Sequence, residues 1–206
     1  MPITEVCVIH PGALSASSWA RMASHLPAGT PVKVLELETI NRYWASDPAL
    51  TVGMLADLLR PRLLIPRDRV LVGWGVGGAV ADALSAPSRR VVVLDGLAPG
   101  ALGGEPSEPA LLRSFAMYAG ARRGRPLKVS PERLREGLDP ALEHILDVAT
   151  DAGVLREDTT LASVRRCYEQ HAARVLRDHR LVTRYEPSGA RLCAALTTVS
   201  GAPDGS

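Results

Sequence analysis

The chain has 206 residues, of which 46% are hydrophobic, and its formal net charge at pH 7 is +2. This length and apolar content predict one globular domain with a well-buried core. The near-neutral charge argues against a nucleic-acid partner. The lack of a long apolar run or of a signal-peptide pattern predicts a cytoplasmic protein with no membrane span.

Short apolar strands alternate with helices over the first hundred residues. The predicted helices are Trp19–Leu26, Leu50–Leu64 and Val76–Ser85. The predicted strands are Val6–Ile9, Val32–Leu37, Val70–Val72 and Val91–Leu94. This alternation predicts an α/β fold, in which a mostly parallel sheet carries helices on both faces.

From Pro99 to Tyr185 the pattern is helical only. Three predicted helices begin at a proline, which suits the first helical turn: Pro109–Gly120, Pro131–Gly137 and Pro140–Ala152. Asp158-Thr159-Thr160 then predicts the start of a longer helix, whose apolar face carries Leu161, Val164, Tyr168, Ala172 and Val175. A last strand is predicted at Leu192–Val199. The predicted core therefore consists of residues 1–100 and 188–206, and residues 101–187 form a helical insertion between its two parts.

The glycine-dense turn after the third strand is the most informative segment, Gly73-Trp74-Gly75-Val76-Gly77-Gly78. A strand, a sharp turn and a helix form the nucleophile elbow G-x-S-x-G, in which the central serine attacks a carbonyl. Here the central residue is Gly75, which has no nucleophilic side chain. Gly73, Gly75 and Gly78 also match the dinucleotide motif G-x-G-x-x-G, with Asp95 at a suitable distance, but that motif belongs in the first βαβ unit.

Further segments make the hydrolase interpretation specific. The stretch from Val6 to His10-Pro11-Gly12-Ala13, the glycine turn and Leu94-Asp95-Gly96-Leu97-Ala98-Pro99-Gly100 together resemble thioesterase domains of polyketide and nonribosomal peptide biosynthesis, an α/β-hydrolase family. Arg184-Tyr185-Glu186-Pro187, with the strand after it, resembles the end of that family's lid and its next core strand. The resemblance covers the whole chain and implies that residues 101–187 form a lid.

The resemblance also implies roles for individual positions. Gly75 stands at the nucleophile position with the serine lost, Asp95 at the position of the triad acid, and the amides of Val76 and Ala13 form the oxyanion hole. His10 belongs to the loop motif, where it has a positioning role, and it is also a candidate acid or base. None of the five histidines matches the C-terminal catalytic histidine, so we expect the segment that carries it to be absent after Ser206. Asp204 is an alternative acid position.

Loss of either the nucleophile or the base disables such a triad. We therefore expect a thioesterase-like protein that binds an acyl, polyketide or peptide intermediate, free or attached to an acyl carrier protein, without serine-dependent hydrolysis. One alternative is a repurposed enzyme, a cyclase, dehydratase or epimerase, that uses His10 or Asp95 with the oxyanion donors. The other is an inactivated or truncated form of an ordinary thioesterase. Whether the chain is an enzyme stays open.

The remaining expectations concern partners and ligands. Arg122-Arg123-Gly124-Arg125 is either a solvated loop or a docking patch for an acidic carrier protein. No cofactor is expected, and no metal, because the histidines and carboxylates lack metal-ligand spacing. Cys7 and Cys193 fall in predicted strands as small buried residues. A sheet edge left bare beyond the last strand predicts a homo-oligomer.

Overall fold

The computed structural model describes residues 5–12, 19–63, 68–85, 90–94 and 104–187. Four parallel strands form one sheet in the order β2-β1-β3-β4. They are β1 (Glu5–His10), β2 (Val32–Glu36), β3 (Arg69–Trp74) and β4 (Arg90–Leu94). The predicted fold class, a mostly parallel sheet with helices on both faces, is confirmed. The strand predicted at Leu192–Val199 lies outside the described residues.

Seven α-helices and three short 3₁₀ turns occupy the described ranges. The helices are α1 (Trp19–Ala23), α2 (Asn41–Trp44), α3 (Val52–Leu59), α4 (Val76–Leu84), α5 (Glu108–Ala121), α6 (Leu138–Asp151) and α7 (Leu161–Thr183). The 3₁₀ turns are Leu37–Thr39, Arg60–Leu63 and Arg133–Arg135.

Three helix predictions were too long. The helix predicted over Trp19–Leu26 ends at Ala23, because the N–H groups of His25 and Leu26 bond to carbonyl oxygens three residues earlier and Pro27 follows. The helix predicted over Pro131–Gly137 is a single 3₁₀ turn at Arg133–Arg135, because Gly137, with φ 109°, turns the chain before α6 begins. The helix predicted to run to Leu64 ends at Leu59, and the 3₁₀ turn that follows contains Pro61. Proline has no N–H to donate to the helix, so the regular hydrogen-bond pattern stops there.

The central strand β1 is buried along its whole length, with alternate side chains on opposite faces of the sheet. Val6 and Val8 pack with Trp19 and Met22 on one face. On the other face, Cys7 and Ile9 belong to the larger core cluster, to which α3 and α4 contribute Leu55, Leu59, Val76 and Val80. Strands buried on both faces read as continuous apolar runs, which is the pattern of this sequence.

A buried ion pair joins the first residues of β1 and β3. Arg69 Nη2 lies 2.8 Å from Glu5 Oε2, with side chains 3% and 12% exposed. Arg69 Nη1 also donates a hydrogen bond of 2.9 Å to the Leu63 carbonyl oxygen. The pair therefore stands at the amino edge of the sheet, where the two strands begin in register.

The chain divides into two compact units, Met1–Leu102 with Leu181–Ser206, and Gly103–Arg180. We call them the sheet unit and the helical unit. Leu181 and Val182, at the end of α7, are buried in the core cluster of the sheet unit. The helical unit has its own core, built from three helices: Leu112 and Phe115 on α5, Leu142 and Ile145 on α6, and Val164 and Tyr168 on α7. The apolar face predicted for the longest helix is confirmed.

Candidate functional site

The topology of the sheet singles out one place for a ligand. The chain passes from β1 outward to β2, and then back across β1 to β3. In open α/β sheets, ligands bind at the carboxyl ends of the strands where the strand order reverses. Here that crevice lies between the ends of β1 and β3, which carry His10 on one side and Trp74 with Gly75 on the other.

At the end of β3 the backbone makes a sharp turn directly into a helix. Gly75 has φ 56° and ψ −127°, and α4 begins at the next residue, Val76. The Gly75 N–H donates to the Leu94 carbonyl oxygen at 3.1 Å, and the Gly78 N–H donates to the Gly75 carbonyl oxygen at 3.0 Å. An L-residue at such a positive φ is strained, as the nucleophile of an elbow is. The segment thus has the sharp strand-to-helix turn that the glycine pattern predicted.

The four glycines of this turn differ in what surrounds them. A Cβ atom at Gly73 would overlap the backbone of Gly77 and Gly78, and one at Gly77 would overlap the Ile9 carbonyl oxygen. At Gly78 it would lie 2.6 Å from Val93 Cγ1, whereas at Gly75 no atom of the described residues lies within 4 Å. Close packing of the helix on the sheet therefore requires three of the glycines, but the described neighbours leave space for a side chain at Gly75.

His10 is buried beside this turn between two tryptophans. Its ring stacks on Trp74 at 5.8 Å between centroids and 16° between planes, and meets Trp19 edge-on at 5.9 Å. The Trp19 Nε1–H donates to His10 Nδ1 at 3.2 Å. Since indole nitrogen only donates, His10 Nδ1 acts as the acceptor and the neutral ring carries its proton on Nε2.

The loop after β1 is held by α2 and by the 3₁₀ turn Leu37–Thr39 that precedes it. The Tyr43 hydroxyl, fully buried, donates to the Pro11 carbonyl oxygen at 3.4 Å. Gly12 has φ 95°, and its Cα faces the Glu38 side chain so closely that a Cβ would overlap it. Neither Glu38 nor Tyr43 was singled out from the sequence, because no motif links them to residues about thirty positions earlier.

Only some of the predicted site residues lie within the described chain. His10, Gly75 and Val76 do, and the structure brings them together at the crevice. The Val76 N–H is one of the first amides of α4, which have no acceptor within the helix. Ala13, Asp95 and Asp204 lie outside the described residues, although Leu94, which accepts from Gly75, directly precedes Asp95.

Sequence reasoning missed two polar pairs that the fold brings together. The Tyr185 hydroxyl donates to Asp82 Oδ2 on α4 at 2.6 Å, which ties the segment after α7 to the sheet unit. In the helical unit, Ser114 Oγ and His171 Nε2 are 3.0 Å apart. Burial, with a smaller contribution from the Arg174 charge, lowers the pKa of His171 to about 4. His171 is thus neutral at pH 7.

Two further properties follow from the part of the chain that the structure describes. None of its helices is both long enough and apolar enough to cross a membrane. Within those same ranges, no three histidine, cysteine, aspartate or glutamate residues are grouped so as to hold a metal ion.

Comparison with known proteins places the fold. No family model and no curated protein sequence matches the chain. Among solved structures, it is similar to AB3403, a four-domain nonribosomal peptide synthetase bound to AMP and glycine, with a TM-score of 0.57 and 22% identity over 89% of this chain. This chain spans only 14% of that structure's chain.

Two thioesterase structures also align with it. One is the NocB thioesterase domain in covalent complex with a fluorophosphonate nocardicin G analog, with a TM-score of 0.47 and 19% identity over 91% of this chain and 68% of that one. The other is the RedJ thioesterase from the prodiginine biosynthetic pathway in Streptomyces coelicolor, with a TM-score of 0.46. Its identity is 18%, over 90% of this chain and 64% of that one. At such identities the similarity is one of fold.

Proposed function

We propose that this chain is a thioesterase-like protein of polyketide or nonribosomal peptide biosynthesis that binds an acyl or carrier-tethered intermediate without serine-dependent hydrolysis. Gly75 carries the proposal. Its backbone, with φ 56° and ψ −127°, would strain any L-residue such as an elbow serine, and no described residue would touch a Cβ at this position. A turn without a hydroxyl keeps the shape of the site and lacks the atom that attacks.

The binding site in this proposal is the crevice between the ends of β1 and β3. A thioester carbonyl placed over Gly75 would face the first turn of α4, where the Val76 N–H points out of the helix. Preorganised amides of this kind stabilise negative charge on a carbonyl oxygen. The same amide polarises a bound carbonyl whether or not a nucleophile is present, so loss of serine leaves this contribution to binding intact.

His10 has a positioning role in this proposal. Its ring is 1% exposed, and Trp74 and Trp19 hold it by stacking and by the bond to Nδ1. A general base must reach the proton that it removes. Here the Nδ1 lone pair is already used by Trp19. His10 therefore fixes Trp74, the residue before Gly75, and so fixes the wall of the crevice.

The test uses the whole chain and hexanoyl-N-acetylcysteamine, a small thioester. We expect saturable quenching of tryptophan fluorescence, because Trp74 borders the crevice, with no release of N-acetylcysteamine above the buffer rate by chromatography. A fluorophosphonate probe should leave the chain unlabelled. Release of the thiol together with a covalent acyl adduct would overturn the proposal, and so would a lack of any binding.

A matched pair of variants locates the binding. Gly75→Leu places a side chain in the crevice, whereas Gly29→Leu carries a similar strain, with φ 81° and open space, just before the amino end of β2. Parallel strands begin at the opposite edge of the sheet from the crevice. We expect Gly75→Leu to abolish thioester binding and Gly29→Leu to leave it unchanged. Equal effects of the two variants would contradict the proposed site.

A further inference from the structure

A cavity of about 450 Å³ lies wholly within the helical unit. It is bordered by the end of α5, by α6 and the chain after it, and by the first turns of α7. Apolar side chains form most of its wall, among them Phe115, Ile145, Ala149, Val154, Leu155 and Val164. Its size falls in the range of about 300–1,000 Å³ that holds small organic ligands.

The charged part of the lining has one sign. Arg122 and Arg123, directly after α5, line the cavity, and no carboxylate is among its described lining residues. Arg122 Nη1 contacts the Tyr118 hydroxyl at 3.4 Å, and its guanidinium lies 5.7 Å from the centre of that ring. A guanidinium has five N–H donors, so this single bond leaves most of them for another acceptor.

Arg125, the third arginine of the segment Arg122-Arg123-Gly124-Arg125, has a structural role. Arg125 Nη1 donates to the Ala152 carbonyl oxygen at the end of α6, at 2.7 Å. The backbone N–H of Arg125 donates to the Gly120 carbonyl oxygen at 3.0 Å, which closes the turn after α5. Arg125 therefore fixes the loop that holds Arg122 and Arg123 beside the cavity.

We propose that this cavity binds a linear alkyl carboxylate, with the chain along the apolar wall and the carboxylate on Arg122 and Arg123. Charge complementarity decides the occupant: the wall favours a hydrocarbon, and paired guanidinium groups favour a planar anion that accepts two parallel hydrogen bonds. The described lining of the cavity belongs to the helical unit, and the inference does not rest on the proposed function of the crevice at Gly75.

The test is calorimetric titration of the whole chain with hexanoate, octanoate and decanoate below their micellar concentrations. Each methylene buried in an apolar site is expected to tighten binding about fourfold. Octanoate should therefore bind about fifteenfold more tightly than hexanoate. Decanol and decyltrimethylammonium, which have the same chain without the anion, should bind at least tenfold more weakly than decanoate, roughly the loss of one charge-assisted contact.

Cys167 gives a second readout, since its exposed thiol lines the cavity. Cys7 is fully buried, and burial together with the Glu5 charge raises its pKa to about 11, so it does not compete for a thiol reagent. In a Cys193→Ser background, maleimide labelling should slow in proportion to the fraction of chain bound to decanoate. Labelling that is unaffected by saturating decanoate would place the ligand elsewhere and overturn the inference.

Variants separate the two parts of the site. Arg123→Gln should weaken decanoate but not decanol, whereas Arg113→Gln, an exposed position on α5 outside the lining, should change neither. Ala119→Leu, which fills the cavity, should weaken both ligands. Equal binding of decanol and decanoate to the unmodified chain would refute recognition of the anion. The chain-length series needs no variant, so a variant that fails to fold leaves the inference testable.

Discussion

Three glycine-to-alanine variants test how the elbow is built: Gly77→Ala, Gly75→Ala and Gly53→Ala. They add the same methyl group at a closed position, at an open but strained position, and at an exposed helical position. If the turn has the described geometry, their effects on the free energy of unfolding differ in size and in sign.

The magnitudes follow from the surroundings of each Cβ. At Gly77 it would overlap the Ile9 carbonyl oxygen and lie 3.1 Å from the carbonyl carbon. Because Ile9 is fully buried in the central strand, the neighbour cannot move away, and we expect a loss of at least about 3 kcal/mol. At Gly75 the Cβ would overlap no described residue, so the positive φ alone is expected to lower the free energy of unfolding, by about 1–3 kcal/mol. Gly53→Ala should stabilise by up to about 1 kcal/mol.

Urea unfolding followed by tryptophan fluorescence measures these differences in the sheet unit, because Trp19, Trp44 and Trp74, all three tryptophans, belong to it. With a urea dependence of about 2 kcal/mol/M, a loss of about 3 kcal/mol lowers the midpoint by about 1.5 M. The expected order of stability is Gly53→Ala, unmodified chain, Gly75→Ala, Gly77→Ala. The reasoning is refuted if Gly77→Ala unfolds within about 0.5 kcal/mol of the unmodified chain, or if Gly75→Ala is the less stable of the two.

Three other predictions follow. Gly75→Ser should leave thioester hydrolysis at the background rate, because a serine hydroxyl without a positioned base is a poor nucleophile; a burst of released thiol on rapid mixing would contradict this. Arg69→Met should lower the free energy of unfolding by about 3–5 kcal/mol, because it leaves the buried Glu5 carboxylate without its ion-pair partner. Arg60→Met removes one partner of an exposed pair and should lower it by at most about 1 kcal/mol in the same urea titration. Folding lowers the pKa of His171 from 6.5 to about 4. As the pH falls, this imidazole therefore takes up a proton in the unfolded chain before it does so in the folded chain. Stability measured by circular dichroism should therefore decline between about pH 6.5 and pH 4, by up to about 3 kcal/mol, and His171→Gln should lose this dependence.

The local pattern of the sequence was sufficient for the four described strands, for the long helices and for the character of the turn. Apolar runs predicted the parallel strands, of which β1 and β3 are the buried ones, and the spacing of Val164, Tyr168 and their neighbours predicted the inward face of α7. Glycines between a strand and a helix predicted the turn at Gly75. All of these depend on residues within a few positions of each other, which is the range over which periodicity and backbone preference act.

The tertiary structure alone decided which side chains meet. His10 lies between Trp19 and Trp74, and no spacing in the sequence connects the three. Tyr185 reaches Asp82 across about a hundred residues of intervening chain.

The glycine turn shows, in one segment, both what the local sequence predicts and what tertiary packing decides. Its composition predicts a sharp connection, but composition does not distinguish a glycine that is needed for space from one that is not. Gly73 and Gly77 are required because a strand and a helix pack against their Cα atoms, whereas no described residue lies within 4 Å of a Cβ placed at Gly75. That difference depends on contacts between elements that are distant in the chain, and such contacts exist only after the sheet and the helices have packed together.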